Sequence, residues 1–533
     1  MHPDRSAVRF VHDLLIRAGS LWPDRTCLVH RDRRLDPAGL LRAARALAAV
    51  LRARGLAAGD RVAIHFEKNV EKAVAIFAVS LAGGVFVVVN PLLKHRQVRQ
   101  ILADSGAACL ITSAARLVGL AGHLDGVADL RFVVRAGADS FPPDDRTGGP
   151  DIVDWPDAAA PPAPADGAAR APGDLAAILY TSGSSGPPKG VMLSHENLLD
   201  GAAIVSGYLG LRADDRLASV LPFSFDYGLN QLLSALLVGG TVVLVNYLSA
   251  QDVVRAVRDD RVTVLAGIPT IWAQLARAKW TAADFARLRC ITNSGGVFHE
   301  SLVREYRRRL PHTRIFLMYG FTEAFRSTYL DPAELDRRPG SMGKAVPGVE
   351  ILVLDEHGRR CGPGEVGELV HRGALVSLGY WNDPERTRAK FRPNPAAAPG
   401  AAAEIVAFSG DAVKTDADGY LYFVGRRDEM IKVSGFRVSP SEIEDFVLST
   451  GLVSEAVAVG VPDAELGESI VLFVVPDRPG AEAPEALRRA LAAELPRYMI
   501  PRHVVEQDAL PRNPNGKVDR SGLRRRARAE FAG

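Results

Sequence analysis

Between Leu179 and Gly190 the chain brings together four small hydroxyl residues, Thr181, Ser182, Ser184 and Ser185, interleaved with Gly183 and Gly186 and followed by Lys189. Glycines let backbone N–H groups converge on an anion, hydroxyls add donors, and a lysine adds charge. The segment is therefore a candidate phosphate cradle. Apolar residues precede it (175–180) and follow it (191–193), whereas a Ser/Gly linker is polar on both sides. The spacing is not that of a Walker A loop, because Gly190, and not Ser or Thr, follows Lys189.

Such a loop needs a frame. The apolar pattern predicts helices over residues 34–54, 68–81 and 95–103, and strands over 61–66, 85–89 and 108–112. This alternation predicts an α/β architecture of βαβ-type parallel sheets. Residues 1–20 read as an amphipathic helix, and the Ala- and Pro-rich tracts 156–172 and 393–403 as surface excursions. After Gly364 short alternating segments, 367–371 and 420–424, predict a β-rich subdomain of strands and hairpins. Beyond Arg426 a compact pattern resumes: a strand near Val438, helix 441–449, strands 455–461 and 469–475, helix 483–494 and strand 503–506. That length suffices for a small separate α+β domain of about 100 residues. The expected division is a large domain over 1–425 and a small one over 426–533.

Composition narrows the partners. A chain of 533 residues exceeds what one core usually serves. Its 65 Lys and Arg against 62 Asp and Glu leave +3, which supports neither nucleic-acid nor membrane-surface binding. Cys27, Cys109, Cys290 and Cys361 form no C-x-x-C pair and read as isolated reduced thiols. The longest uncharged run, between Lys72 and Lys94, is broken by Gly83-Gly84 and Asn90-Pro91, so it predicts a buried helix and a strand, not a membrane span. No secretory pattern opens the chain, and a cytoplasmic protein is expected.

The segment from Leu179 to Gly190 closely resembles the signature of the adenylate-forming enzymes: acyl-CoA synthetases, luciferases and the adenylation domains of peptide synthetases. Ser185 stands where the usual pattern has Thr, which keeps the hydroxyl. Further matches follow in the family's order and cover the chain from about Val8 to Arg520. The stretch from Asn293 to Val297 resembles the strand end lining the adenine pocket, where Gly295 and Gly296 let a flat base approach. The stretch Met318 to Glu323 resembles the Y-G-x-T-E element. The resemblance implies that Tyr319 stacks on adenine, Thr322 bonds a phosphate oxygen and Glu323 holds Mg²⁺, roles that suit an aromatic face and a hard carboxylate.

Ser409-Gly410-Asp411 resembles the element whose Asp accepts both ribose hydroxyls. The stretch Gly425 to Gly435 resembles the interdomain junction. There the likeness assigns Arg426 to the ribose, Asp428 to the hinge, and Lys432 and Gly435 to the thiol (CoA) channel. Lys517, after Asn515-Gly516, matches the catalytic lysine. The family's small domain is mobile and rotates between two half-reactions: a carboxylate attacks the α-phosphorus of ATP to give an acyl-adenylate, then a thiol takes the acyl group. The activity implied is therefore an AMP-forming acid–thiol ligase that uses ATP and Mg²⁺. A non-catalytic nucleotide binder with this fold is disfavoured, since Lys189, Glu323, Asp411, Arg426 and Lys517 are all present.

The acid is less legible. Phe225 stands where many acyl-CoA synthetases carry His, while Ser224-Phe225-Asp226 resembles peptide-synthetase domains in which such an Asp binds an α-ammonium. Asp226 alternatively faces solvent or caps the next helix. The expectation is a fatty or aryl acid with CoA as acceptor. The alternative is an amino acid passed to the phosphopantetheine of an acyl or peptidyl carrier protein. Residues 223–240 and 366–382 also resemble ligases of exosortase and exopolysaccharide loci.

Overall fold

The computed structural model describes residues 5, 7–120, 122–137, 149–157, 170–181, 188–398, 400, 402, 404–426, 429–433, 436–463, 466–477, 483–514 and 516–531. Three sheets organise them. An eight-stranded sheet runs in the order Gly379–Tyr380, Lys189–Ser194, Leu175–Thr181, Val85–Val88, Arg61–His65, Ala107–Ser113, Phe132–Ala136 and Asp151–Asp154. Its inner strands pair in parallel, and Leu175–Thr181 pairs antiparallel with Lys189–Ser194. These strands are rich in Val, Ile and Ala and covered on both faces, as a parallel sheet requires.

A 14-stranded sheet begins parallel and ends antiparallel. Its parallel part holds Leu28–His30, Thr241–Leu244, Arg216–Ser219, Val264–Gly267, Cys290–Asn293 and Arg314–Tyr319. From Thr328–Leu330 onward the pairing is antiparallel, through Ser341–Ala345, Leu421–Arg426, Ile405–Thr415, Gly367–Gly373 and Val349–Leu354. A separate five-stranded sheet, Phe436–Val438, Ile431–Val433, Gly467–Pro476, Val453–Asp463 and His503–Glu506, carries its own apolar cluster around Ile443, Leu472 and Leu487. The fold is thus α/β with a β-rich portion and a small α+β unit, as the residue pattern predicted.

Helices between strands start and stop for local reasons. Val70–Ala82 begins where the Asn69 side chain accepts from Lys72 N at 2.9 Å, and ends at Gly83, whose φ of 89° suits glycine. It is buried nearly all round, which is why its sequence is apolar without a clear stripe. The helix expected from residue 34 begins at Pro37 instead. Asp36 caps it, and Arg33–Leu35 forms a strand against Leu28–His30 because Pro37 fixes the first helical position. The amphipathic helix expected over 1–20 is described only as Asp13–Leu21. The Arg-rich stretch near the end of the chain forms the helix Arg520–Phe531, and it is anchored: Leu523 and Ala527 are buried, and Arg520 pairs with Glu444. Among the described residues no helix is long and apolar enough to cross a membrane.

Candidate active site

The phosphate-loop candidate connects two paired strands, with Thr181 opposite Lys189 in register at its mouth. A linker reading is excluded by that pairing; Ser182, Gly183, Ser184, Ser185 and Gly186 lie outside the described residues. Gly190 is required by packing, since a Cβ there would stand 2.7 Å from Ile178 Cγ2. The Lys189 ammonium lies 5.6 Å from the centre of the Tyr380 ring, and the Tyr380 hydroxyl donates to Glu323 Oε1. Thr322 and Glu323 occupy the short 3-10 turn Thr322–Ala324 that follows strand Arg314–Tyr319.

A second group forms where Tyr319 ends that strand. Its hydroxyl donates to Asp411 Oδ2, and burial together with Asp411 pushes the phenol well above its ordinary range. Asp411 and Arg426 are opposite one another in the pairing of Ile405–Thr415 with Leu421–Arg426, with Arg426 Nε 3.5 Å from Asp411 Oδ1. The turn is held by Ser409 Oγ, which accepts from Asp411 N at 3.0 Å, and by Glu368 Oε1, which accepts from Gly410 N at 3.0 Å. Lys390 reaches in from the helix Pro384–Lys390 and donates to Ser409 O at 2.6 Å. Burial lowers its pKa, with Glu323 and Asp411 acting in the opposite sense.

The third group joins the small unit to the large one. Gly516 and Lys517 sit over the large unit: Asn90 Nδ2 donates to Pro514 O at 3.2 Å, and Thr270 Oγ1 donates to Gly516 O at 3.5 Å. Lys517 Nζ lies 5.4 Å from the centre of the Phe225 ring. Gly295, at φ 79°, makes room for it, because a Cβ there would stand 3.3 Å from Lys517 Cε; a Cβ at Gly296 would meet Pro269. Asp226 is the first residue of helix Asp226–Val238 and only 4% exposed, so it does not face solvent. Burial pushes its carboxyl above the usual range, with Arg326 and Lys517 acting against that; burial lowers Lys517, with Asp226 acting against it.

Asp226, Gly295, Thr322 and Glu323 follow the C-terminal ends of parallel strands, where open α/β sheets place ligands, whereas Asp411 and Arg426 come from the antiparallel part of the sheet and Lys517 from the small unit. Lys432, by contrast, is exposed on Ile431–Val433, and the contact described for it is Lys432 N donating to Glu468 Oε2 at 2.7 Å. Asp428 and Gly435 lie outside the described residues. Three cleft residues escaped the sequence reading: Tyr380, Lys390 and Arg326. Only Arg326 left a signal, a lone charge amid Ala324, Phe325 and strand Thr328–Leu330. Among the described residues no cluster of three metal-ligating side chains exists. One partly exposed carboxylate, Glu323, near the strand ends that carry the candidate phosphate loop fits magnesium, which keeps waters and leans on substrate phosphates.

Residues 16–381 match the AMP-binding enzyme family and residues 442–517 the AMP-binding enzyme C-terminal domain. The chain belongs to this family of adenylate-forming ligases. It is 31% identical over 512 residues to indoleacetate–CoA ligase of Aromatoleum aromaticum, covering 95% of this chain and 96% of that one. It is 35% identical over 494 residues to L-proline–[L-prolyl-carrier protein] ligase of Streptomyces coelicolor, covering 89% and 88%. With tyrocidine synthase 3 of Brevibacillus parabrevis it shares 33% over 520 residues, 96% of this chain but 8% of that protein's length. Among solved structures, ATP-bound MatB from Rhodopseudomonas palustris superposes with a TM-score of 0.85 at 30% identity, covering 97% of this chain and 99% of the other. The Bacillus subtilis o-succinylbenzoate CoA synthetase with ATP and magnesium does so at 0.80 and 26%, covering 96% and 98%.

Proposed function

We propose that this enzyme adenylates an α-amino acid and passes the aminoacyl group to the phosphopantetheine thiol of a carrier protein. The observation that carries the reading is Asp226, a carboxyl 4% exposed in the pocket that Lys517 closes. A buried carboxylate asks for a cation, and a substrate ammonium supplies one. The full-length likeness to a prolyl-carrier ligase supports it. The likeness to indoleacetate–CoA ligase supports the alternative expected from sequence, a fatty or aryl acid with CoA as acceptor. None of the relatives named above carries an exosortase or exopolysaccharide role in its name.

In the first half-reaction a carboxylate oxygen attacks the α-phosphorus of ATP and pyrophosphate leaves. Two anions must be held together while charge builds on the phosphates. Lys517 serves as the cation between carboxylate and α-phosphate. Lys189 and the loop from Thr181 take the outer phosphates. Asp411, steadied by Tyr319 and Arg426, takes the ribose hydroxyls. Bound Mg²⁺ supplies charge neutralisation of the phosphates, with Glu323 as its protein ligand and Tyr380 orienting Glu323. In the second half-reaction a thiolate attacks the carbonyl carbon and AMP leaves. The boundary proposed for the rotating part falls at Arg426, the last residue of the large sheet.

The test is substrate-dependent ATP–pyrophosphate exchange over amino, fatty and aryl acids, repeated with Asp226→Ala. Exchange with an amino acid that disappears in the variant supports the reading. Exchange with a fatty or aryl acid, indifferent to Asp226, replaces it with the CoA-ligase alternative.

A further inference from the structure

We infer that the acid pocket carries a subsite for a second carboxylate, with Arg326 as its specificity-determining residue, so that the substrate is an acidic amino acid. The inference rests on the amino-acid reading above and deepens it. Arg326 is 1% exposed and among the largest fully buried side chains of the chain. Its Nη1 donates to Ser294 Oγ at 3.1 Å, while its Nε and Nη2 are buried with no acceptor. A guanidinium keeps its charge and offers five donors in a planar fork that matches a carboxylate. Left without acceptors out of water, such a group is costly, so a fold that retains it has an anion to meet there.

Arg326 and Asp226 act on one another electrostatically, yet no ion pair joins them among the described residues. Were the pair a structural one, the two side chains would close on each other. The helix Asp226–Val238, which meets Arg326 through Tyr227, carries further polar groups without partners. Arg326 Cζ lies 4.9 Å from the centre of the Tyr227 ring. On the same helix as Tyr227, Asn230 Nδ2 and the Gln231 amide are buried without hydrogen bonds. Tyr227, Asn230, Gln231 and Thr292 line a cavity of ≈ 20 Å³, which is room for about one water.

The backbone is bent to put this arginine inside. Phe325 has φ 48° and ψ −53°, and Arg326 N donates to Ala324 O at 2.5 Å, a γ-turn of the rare, strained hand. Such strain persists only where the surroundings impose it, and it gathers at ligand sites. Here two glycines make room for it. A Cβ at Gly201 would stand 2.3 Å from the Phe325 ring, and one at Gly320 would stand 3.0 Å from Arg326 Cα.

Partners select the substrate class. An acidic amino acid meets all three groups: ammonium to Asp226, reacting carboxylate to Lys517, second carboxylate to Arg326. A neutral amino acid leaves Arg326 Nε and Nη2 without an acceptor, and a fatty or aryl acid leaves Asp226 without a cation as well.

The experiment is ATP–pyrophosphate exchange with the full chain on aspartate, glutamate and 2-aminoadipate, on asparagine and glutamine, on apolar amino acids, and on succinate, glutarate, fatty and aryl acids. The expected result is kcat/KM for one acidic amino acid on the order of 10² or more above its amide. Arg326→Met should abolish that preference, and Arg326→Lys should restore part of it. Amides or apolar amino acids used as well as the acidic ones would overturn the second-carboxylate subsite while sparing the amino-acid reading. Preference for a fatty, aryl or ammonium-free dicarboxylic acid, or no exchange with any acidic amino acid, would overturn the subsite as well. If Arg326→Met fails to fold, the wild-type panel decides.

Discussion

Asp215 and Asp226 flank one strand, Arg216–Ser219, and both are nearly inaccessible, at 1% and 4% exposure. Asp215, before the strand, has every acceptor position engaged: Arg289 Nε at 2.7 Å with Nη2 alongside, Thr263 Oγ1 at 2.7 Å and Arg212 N at 2.8 Å. Although burial alone raises an acid, these partners hold its carboxyl below the usual range. Asp226, beyond the strand, has a backbone hydrogen bond from Tyr227 and the charges of Arg326 and Lys517 but no ion pair among the described residues, and burial pushes its carboxyl up. The two ends teach how to tell a closed ion pair, which stabilises the fold, from an open one, which waits for a ligand.

The comparison breaks most visibly at Asp215. Asp215→Ala leaves the part-buried Arg289 with the Gly210 carbonyl as its described acceptor and should cost about 2–3 kcal/mol of stability, since several hydrogen bonds to a charged group are lost. Urea unfolding measures it, and exchange activity of the folded protein should stay near wild type. Because the folded pKa is depressed, the stabilisation is present above the ordinary carboxylate range and fades as pH falls through the folded value. The gap between wild type and variant should therefore close below about pH 4. A gap that persists in acid would remove the carboxylate as its cause.

Lys517→Ala comes next: adenylation should slow on the order of 10² or more, the scale of a central electrostatic group. Thioester formation from preformed adenylate should suffer far less, and equal losses in both steps would sink the assignment. Asp226→Asn should lower exchange with the preferred amino acid by about tenfold or more, as for a charge pair made in the complex. Its melting temperature should hold, in contrast to Asp215→Ala; a matching drop would make Asp226 structural. The smallest effect is expected at Tyr380→Phe, which frees Glu323 Oε1. The Mg²⁺ concentration for half-maximal exchange should rise by about tenfold or somewhat less, the cost of losing an orienting partner.

The βα frame was legible because its strands and helices carry the 2.0 and 3.6 periods openly: helix Ala483–Glu494 and strand His503–Glu506 fall where the pattern put them. Lys189, Tyr319, Glu323, Asp411, Arg426 and Lys517 were legible as motif members, and the fold brings them to one cleft. Lys432 was not bettered by structure; it lies exposed on its strand. Tyr380 and Lys390 were invisible because an ordinary tyrosine and a helix-end lysine become site residues only when Gly379–Tyr380 docks on Lys189–Ser194 and Pro384–Lys390 follows it. Arg326 left only its charge amid apolar neighbours as a signal; the backbone reversal at Phe325 that turns it inward has no local sequence mark.

The contacts that seat Lys517 have an asymmetry of their own. On the large unit the donors are two particular side chains, Asn90 and Thr270; on the other side the acceptors are the main-chain carbonyls of Pro514 and Gly516. Any residue supplies a carbonyl, so what the loop around the lysine must keep is its turn, through Gly516 at φ 80° and the Asn513 side chain, which accepts from Lys517 N at 3.0 Å, more than a partner for the large unit. Grip is instead tunable from the opposite bank, where exchanging Asn90 or Thr270 alters how long the lysine dwells while leaving its chemistry untouched. Inheritance of the reaction and adjustment of its tempo are thereby assigned to different stretches of the chain.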